Sequence, residues 1–384
     1  MTQKSSEDVV NENIYSDDLN PLNRISEELH ELIFQHLNGN DVLRFALVSP
    51  QWYDLTANSR NCMNLIKLKV VWLHNISTHS RKDRFELVQN SQRRYQHFYF
   101  YCNSNAIVIE ECMNILTAHA DSVVSIVAID MISDALEMNS ITLRNLQSLS
   151  VREIFHKRYN APNIVLLQAS TKLKSLKLDI SANEYVIECL QNKNLTDLDI
   201  SYHMIENIFK NDVSGILNFK LKTFCANTGV MHSRTEANFI KFILSQANNL
   251  ESLQLFRVNC RVINTIINRM KALKHLHYQS LQDEVIVLEL NVNTNITSME
   301  IRSEYKFERI KPVLEATPNL IKLFIDRITK QLVEFLAFNM KELQIVEYLF
   351  EDEVGVKDNY DFKLSLSVLD LNKRIKFTAK THRV

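Results

Sequence analysis

The sequence predicts an α/β chain in two parts: a short all-helical unit, then an irregular solenoid with a parallel β-sheet on its concave side and helices on its convex side. Three observations carry that prediction. At 384 residues the chain is too long for one ordinary core, so it must split into domains or stack repeats. Residues 20–60 carry short apolar stripes at helical spacing between cap-forming residues. From about residue 61 a seven-residue apolar phrase recurs at near-regular spacing.

Composition narrows the function. Apolar residues make up 46% of the chain and charged residues 23%, the balance of a folded protein rather than a disordered one. No apolar run approaches the ~18 residues that span a bilayer, and the stretch from Met1 to Asp8 has no signal-peptide character. The expected compartment is the cytosol or nucleus, with no membrane partner. Cys62, Cys102, Cys112, Cys189, Cys225 and Cys260 are scattered without a CxxC pair and read as free thiols. A net charge of −1 offers no basic face in the totals for a phosphate backbone, so no nucleic-acid partner is expected. Gly39, Gly215, Gly229 and Gly355 lie too far apart for GxGxxG, GxxxxGK or GxSxG, and no HExxH or EF-hand loop occurs. With no nucleophile, acid/base or phosphate-loop constellation, a non-enzyme without cofactor or metal is expected.

In chain order, residues 1–19 read as a flexible acidic tail, with Glu7, Asp8, Glu12, Asp17 and Asp18 against Lys4 alone. Ser26 can cap a first helix whose opening turns hold Glu27, Glu28 and Glu31, where the helix dipole favours negative charge. Leu29, Leu32, Ile33 and Leu37 fall on one stripe, and Phe34 projects off it. Asn38-Gly39-Asn40 ends that helix, because Gly and Asn tolerate a left-handed C-cap. A second helix opens near Asp41 and holds Val42, Leu43, Phe45, Ala46, Leu47 and Val48. Ser49-Pro50 breaks it and starts a third, with Trp52 and Leu55. So small a unit can hardly bury all these side chains alone, so the surplus should meet a partner.

The recurring phrase is L-x-x-L-x-L-x. Weak versions fill 61–140, at Leu65-Leu68-Val70, Tyr95-Phe98-Phe100 and Val123-Ile126-Ala128. Clearer ones fill 141–350 and start at Leu146, Leu173, Leu195, Leu221, Leu250, Leu273, Ile296, Leu320 and Met340. Their spacings are 27, 22, 26, 29, 23, 23, 24 and 20 residues, inside the 20–29 range of leucine-rich repeats. Stripes such as Val262, Ile263, Ile266, Ile267 and Met270, or Leu332, Val333, Phe335, Leu336 and Phe338, predict a helix between strands. The run Val285 to Leu288 with Leu290 reads as extended chain instead. Residues 351–384 are expected to cap the solenoid.

Within each phrase the fourth and sixth residues should be buried, and the third, fifth and seventh should face outward. Lys177–Asp199, Arg152–Asp179 and Arg302–Asp326 then sit side by side on neighbouring strands. Phe256 and Phe324 fall at outward positions amid His277, Gln279, Glu300 and Arg302, either as anchors for a substrate or as rings covered by a loop. His275 and His277 share a strand face, but no third ligand stands near them, so surface polarity explains the pair more simply than a metal.

The segment Ile25-Ser26-Glu27-Glu28-Leu29, Ile33-Phe34, Leu37, Asp41-Val42-Leu43 and Val48-Ser49-Pro50-Gln51-Trp52 resembles the F-box motif. Glu28-Leu29, Ile33-Phe34, Leu37, Asp41, Leu43, Val48 and Trp52 match it in order and spacing. Ile25-Ser26 stands for its Leu-Pro, Val42 for Leu and Ser49 for Cys. An F-box followed by leucine-rich repeats is the arrangement of a known family of substrate-recognition subunits in Skp–cullin–F-box ubiquitin ligases. The resemblance implies that Ile25, Glu28, Leu29, Ile33, Phe34, Leu37, Asp41, Leu43, Val48 and Trp52 bind a Skp-type adaptor joined to a cullin. It also implies that the repeats hold a protein substrate for ubiquitination. The Asn or Cys that often follows the strand in such repeats is mostly absent, with His203, Val258, Leu281, Glu304 and Ile328 in its place. A scaffold or inhibitor that works without a ligase is the alternative for such a chain.

Overall fold

A computed structural model of the chain describes residues 25–71, 85–91, 93–101, 106–129, 141–152, 167, 170–179, 190–191, 194–217, 219–281, 289–302, 306–350 and 375–381. The acidic tail, the run Val285 to Leu288 and residues 351–374 of the expected cap lie outside them. The chain forms two compact units, one of residues 1–68 with 91–97 and one of residues 69–90 with 98–384.

The first unit contains helices α1 (Glu27–Phe34), α2 (Gly39–Ala46), α3 (Pro50–Asn58) and α4 (Arg60–Leu65). Short polar residues set their limits. Ser26 stands at the α1 N-cap in extended backbone, yet its side chain makes no cap hydrogen bond. Its hydroxyl is spent on the Glu28 carboxylate, which that bond and Glu28's own N–H hold below the ordinary value. Asn38 opens α2 rather than closing α1. Its side chain accepts the N–H groups of Asn40 at 3.0 Å and Asp41 at 3.1 Å, while the Asp41 carboxylate accepts the Asn38 N–H at 3.4 Å. That reciprocal capping box makes Gly39 the first residue of α2, not a left-handed cap, which corrects the expectation from sequence. Glycine is needed there for a different reason: a Cβ would lie 2.6 Å from the Leu65 carbonyl oxygen. Ser49 caps α3 by accepting the Trp52 N–H at 3.2 Å, with Pro50 in the first turn. Ser59 caps α4 through the Cys62 N–H at 3.1 Å. This fourth helix went unread in the sequence.

Phe34, Val42, Trp52, Cys62, Met63 and Ile66 form the core of this unit, with Leu37, Phe45, Leu55 and Tyr95 packed against it. The Trp52 ring meets Phe34 at 6.2 Å, Phe45 at 5.2 Å and His30 at 5.5 Å. Phe34 therefore points inward, although sequence spacing sets it off the stripe of Leu29, Leu32, Ile33 and Leu37. Arg93, from the returning segment 91–97, is buried too. Its Nη2 donates to Thr56 Oγ1 at 3.2 Å, and its guanidinium lies 4.5 Å from the Tyr53 ring centroid.

Thirteen strands pair side by side in chain order. They are β1 (Lys67–Val71), β2 (His97–Tyr101), β3 (Ser125–Ile129), β4 (Ser148–Arg152), β5 (Ser175–Asp179), β6 (Asp197–Ile200), β7 (Thr223–Asn227), β8 (Ser252–Val258), β9 (His275–Ser280), β10 (Ser298–Arg302), β11 (Lys322–Ile325), β12 (Ile345–Phe350) and β13 (Lys376–Thr381). Every neighbouring pair from β3 to β13 is parallel. A parallel neighbour requires a crossover. The described helices of the second unit are α5 (Ala106–Ala118), ahead of β3, and, as crossovers between parallel neighbours, α6 (Tyr202–Ile208), α7 (Ser233–Ser245), α8 (Cys260–Arg269), α9 (Phe307–Glu315) and α10 (Lys330–Asn339).

The register follows the sequence phrase residue by residue. Its third positions form one continuous row: Ser125, Ser148, Ser175, Asp197, Thr223, Ser252, His275, Ser298 and Lys322. From β2 to β11 its fourth and sixth positions are buried, as with Leu253 at 1% exposure and Leu255 at 0%; the expected phrase Leu65-Leu68-Val70 departs, because Leu65 ends α4 and is exposed and Leu68 is half-buried. The last repeat differs. Lys322 pairs with Ile345 and Leu323 with Val346, so the phrase begins at Leu343, not Met340. Val346 is then an inward residue and fully buried, whereas Ile345 is half-buried. Met340, Leu343 and Val346 are apolar at three-residue steps, so the phrase fits two frames. The correct frame restores a spacing of 23 from Leu320, and the irregular 20 was the available signal.

The helices bury the faces their spacing implies. Val262, Ile263, Ile266 and Ile267 of α8 are buried, and so are Leu332, Val333, Phe335 and Leu336 of α10. Phe338 is the exception at 77% exposure, because the last turn of α10 rotates it off the packed stripe. The described free cysteines are Cys62, Cys112 and Cys260, all buried, and Cys225, half-buried.

Candidate functional site

The sequence-derived candidates of the helical unit separate into two sets. Phe34 (1% exposed) and Trp52 (2% exposed) belong to the core, so neither offers a surface contact. A unit of four short helices needs its largest rings inside, and that overrides their apparent place on the outer face. Leu37 packs against the same core, Ile25 is half-buried and Asp41 works in the α2 capping box. Leu29, Ile33, Leu43 and Val48 are exposed, as is Glu28.

Two further exposed apolar residues join this set. Leu32, on the apolar stripe of α1, and Leu47, at the end of α2, are 52% and 86% exposed. The only sequence signal for them was the apolar surplus itself. Covering such side chains gains about 1.5–3 kcal/mol each for full burial of a Leu or Ile. Separately, α1 and α3 frame a cavity of about 300 Å³ lined by His30, Glu31, Phe34, Gln51, Asp54 and Leu55 among others. Asn61 fixes its wall by donating to Glu31 Oε2 at 2.6 Å.

On the sheet, two of the expected cross-strand pairs form. Lys177 Nζ lies 2.6 Å from Asp199 Oδ2, and Arg152 Nε lies 3.4 Å from Asp179 Oδ2. The hydrogen bond that Lys177 donates to Asp199 holds the Lys177 pKa above its ordinary value. Both pairs are largely exposed, which limits each to about 0–1 kcal/mol. Cys225, next in the same outward column, is pushed up to about 12 by burial and by Asp199, so it stays an unreactive thiol.

Arg302 departs from expectation. Its Nε pairs with Glu300 Oε1 at 2.6 Å on its own strand instead of with Asp326, and its guanidinium lies 5.3 Å from the Phe324 ring centroid. Phe324 is only 6% exposed, so it is no free anchor; the Arg302 side chain over its ring is part of its cover. Phe256 is half-buried, with His277 edge-on at 5.2 Å between ring centroids. His277 Nε2 stands 3.4 Å from Glu300 Oε1, and burial lowers the imidazole pKa more than that carboxylate raises it. Gln279 sits beside Arg302 in the ladder and is half-buried. The six candidates therefore share one stretch of sheet, β8 to β11.

A β-bulge sets the position of Phe256. Leu255 pairs with Tyr278 and Val258 with Ser280, so β8 carries one residue more than β9 between those pairs. Arg257 absorbs the extra residue in left-handed backbone at φ 58. Without it Arg257 would point into the core; with it Arg257 is exposed and Val258 is fully buried. Thr228 anchors the bulge, its N–H donating to the Phe256 carbonyl at 2.8 Å and its hydroxyl reaching the Phe256 and Arg257 carbonyls at 3.0 Å.

Among the described residues no group of three or more His, Cys, Asp or Glu is placed to hold a metal ion, and no helix is long and apolar enough to cross a membrane. No curated protein matches the chain. The helical unit does have a counterpart: residues 22–64 match the family model of the F-box domain, a span that takes in all four helices up to Asn64. That match supports a place for the chain among F-box proteins, with a role in binding the adaptor of a Skp–cullin–F-box ubiquitin ligase.

Proposed function

We propose that this chain is a non-catalytic substrate receptor of a Skp–cullin–F-box ubiquitin ligase, with the helical unit bound to a Skp-type adaptor and the sheet unit bound to a protein substrate. The observation that carries the adaptor half is the exposed apolar set Leu29, Leu32, Ile33, Leu43, Leu47 and Val48 within a matched F-box. The sheet half is read as an irregular leucine-rich-repeat solenoid. Support comes from parallel strands in chain order, a repeat of 20–29 residues and a buried fourth and sixth position. In such a repeat the strands line the concave side and offer their outward residues to the substrate. The receptor performs no chemistry; it raises the concentration of substrate near the ubiquitin donor. Work in the cytosol or nucleus fits that role.

Affinity purification of the full chain from proteasome-inhibited cells, followed by mass spectrometry, tests the reading. Recovery of a Skp-type adaptor together with a cullin is the expected outcome. Recovery of other proteins without either would replace the receptor with a scaffold that acts outside any ligase.

A further inference from the structure

The second residues of the repeated phrase make a row of their own, just ahead of the strands. Through Gln147, Lys174, Thr196, Lys222, Glu251 and Lys274, each N–H donates to the carbonyl of its counterpart one repeat back, at 2.7–2.9 Å. That row, with the two residues before each phrase, forms one rim of the sheet. From β4 to β9 the rim carries Arg144, Lys172, Lys174, Lys220, Lys222, Lys271 and Lys274, all exposed. Against them stand the carboxylates of Glu251 and of Asp197, the residue after Thr196. The chain between β4 and β6 that lies outside the described residues adds Lys157, Arg158 and Lys193 against Glu153, Glu184 and Glu188, which cancel. Asp212, in the loop before β7, is engaged by Lys241 at 3.0 Å. The whole chain carries a net charge of −1, so this basic surplus leaves the remainder net negative.

Glu251 shows what such a rim does to an acid. It lies between Lys222, ahead of β7, and Lys274, ahead of β9. Lys274 Nζ donates to its Oε2 at 2.8 Å, and that bond, with Lys222 and His275 beyond it, holds the carboxyl below the ordinary value. Thr196 occupies the same place between Lys174 and Lys222, with no acid of its own. Asp197 beside it accepts the Thr196 hydroxyl at 2.7 Å, and the lysines ahead of β5 and β7 outnumber that one charge.

We propose that this rim docks an acidic, extended segment of a protein partner, whose Asp and Glu side chains settle among Lys172, Lys174, Lys220 and Lys222 as Glu251 does between its own two lysines. Lysine is a compact charge on a flexible stem, so the rim reads density of negative charge and not a fixed motif. From β4 to β9 the row crosses about 24 Å, which extended chain covers in about seven residues. A nucleic acid fits less well. Single strands are held largely by stacking of bases on aromatic rings, and the one aromatic residue of these rim segments, Phe219, is only 4% exposed. A polyanion longer than the rim also runs onto the net-negative remainder of the chain. The inference rests on the edge of the sheet, so failure of the adaptor reading or of the outward-face reading would leave it standing.

Fluorescence anisotropy of a labelled heptaglutamate peptide, titrated with the purified full chain in about 50 mM salt, tests it. The natural chain should bind heptaglutamate and not heptaglutamine. Raising the salt to about 200 mM should weaken the complex several-fold, because exposed charge pairs are screened. Lys172→Gln/Lys174→Gln/Lys220→Gln/Lys222→Gln should weaken it about tenfold or more, from roughly two- to fivefold for each exposed pair removed. Lys177→Gln, on the outward face, should leave it within about twofold. The same four rim lysines changed to Glu should lose heptaglutamate and bind heptalysine; misfolding does not produce such an exchange, so this variant carries the test if the Gln variant folds poorly. No binding of heptaglutamate by the natural chain, equal binding by the folded Gln variant, or tighter binding of a seven-nucleotide oligothymidylate would each overturn the proposal.

Discussion

The helical unit and the sheet unit answer differently to the same sequence logic. In the sheet, which side of each strand is buried could be read almost residue by residue, from Ser125 to Lys322 along one row. In α1 spacing does not sort inside from outside: Leu29, Leu32 and Ile33 face out, while His30 and Phe34 face in. The difference is physical. A strand has only two faces, and its neighbours repeat the same choice at every step of the ladder. An eight-residue helix has a continuous circumference, and α1 carries apolar groups over most of it. A small core then takes the rings and leaves the leucines outside.

That contrast can be broken most forcefully in the helical unit. Trp52→Ala should cost about 3–5 kcal/mol and unfold the unit, the range for an aromatic removed from a core. Ile33→Ala should stay within about 0.5 kcal/mol, as surface changes do. Denaturant unfolding of the full chain, followed by a helical-unit probe, compares the two. Equal damage from both would mean that α1 has been placed with the wrong face inward.

A smaller effect sharpens the sheet side. Val346→Ala should cost about 1–2 kcal/mol at roughly 0.8 kcal/mol per buried methylene. Ile345→Ala removes more atoms but should cost less, since Ile345 is the half-buried residue of the pair. The reverse order in thermal unfolding would restore the frame that begins at Met340.

The smallest effect is a pH dependence at the outward face. Burial lowers the His277 pKa in the folded chain, with Glu300 and Asp326 opposing and Arg302 assisting. The unfolded chain therefore takes up the proton more readily. Stability is complete above 6.5, the ordinary imidazole value, and falls as the pH drops below it. His277→Gln should flatten that part of the slope in urea midpoints taken across the range, and an unchanged slope would assign the dependence to other groups.

Much of the fold was legible because a repeated phrase checks itself. A single L-x-x-L-x-L could fall anywhere, but a row of them fixes register, crossover and buried face together. The error at the last repeat shows the limit, since Met340, Leu343 and Val346 satisfy the phrase in two frames and only backbone pairing chooses. The candidate sites were less legible because exposure depends on what lies beside a residue in space. Phe324 occupies an outward position and is still covered, with Arg302 reaching over its ring from the next strand. Gly39 gave the right punctuation for a different cause, a close approach to Leu65 that no local pattern encodes. The bulge at Arg257 left no signal at all, because arginine is an unusual residue for left-handed backbone.

In the proposed receptor, the leucines left outside the helical core form the adaptor contact. Titration of a purified Skp-type adaptor into the full chain by calorimetry tests it, with Leu29→Asp/Leu32→Asp/Ile33→Asp beside the natural sequence. Far-ultraviolet circular dichroism of the same samples establishes that the variant is folded. Tight binding by the natural chain and none measurable by the folded triple variant are the expected results. Unchanged affinity in that variant would contradict this and move the adaptor contact away from α1.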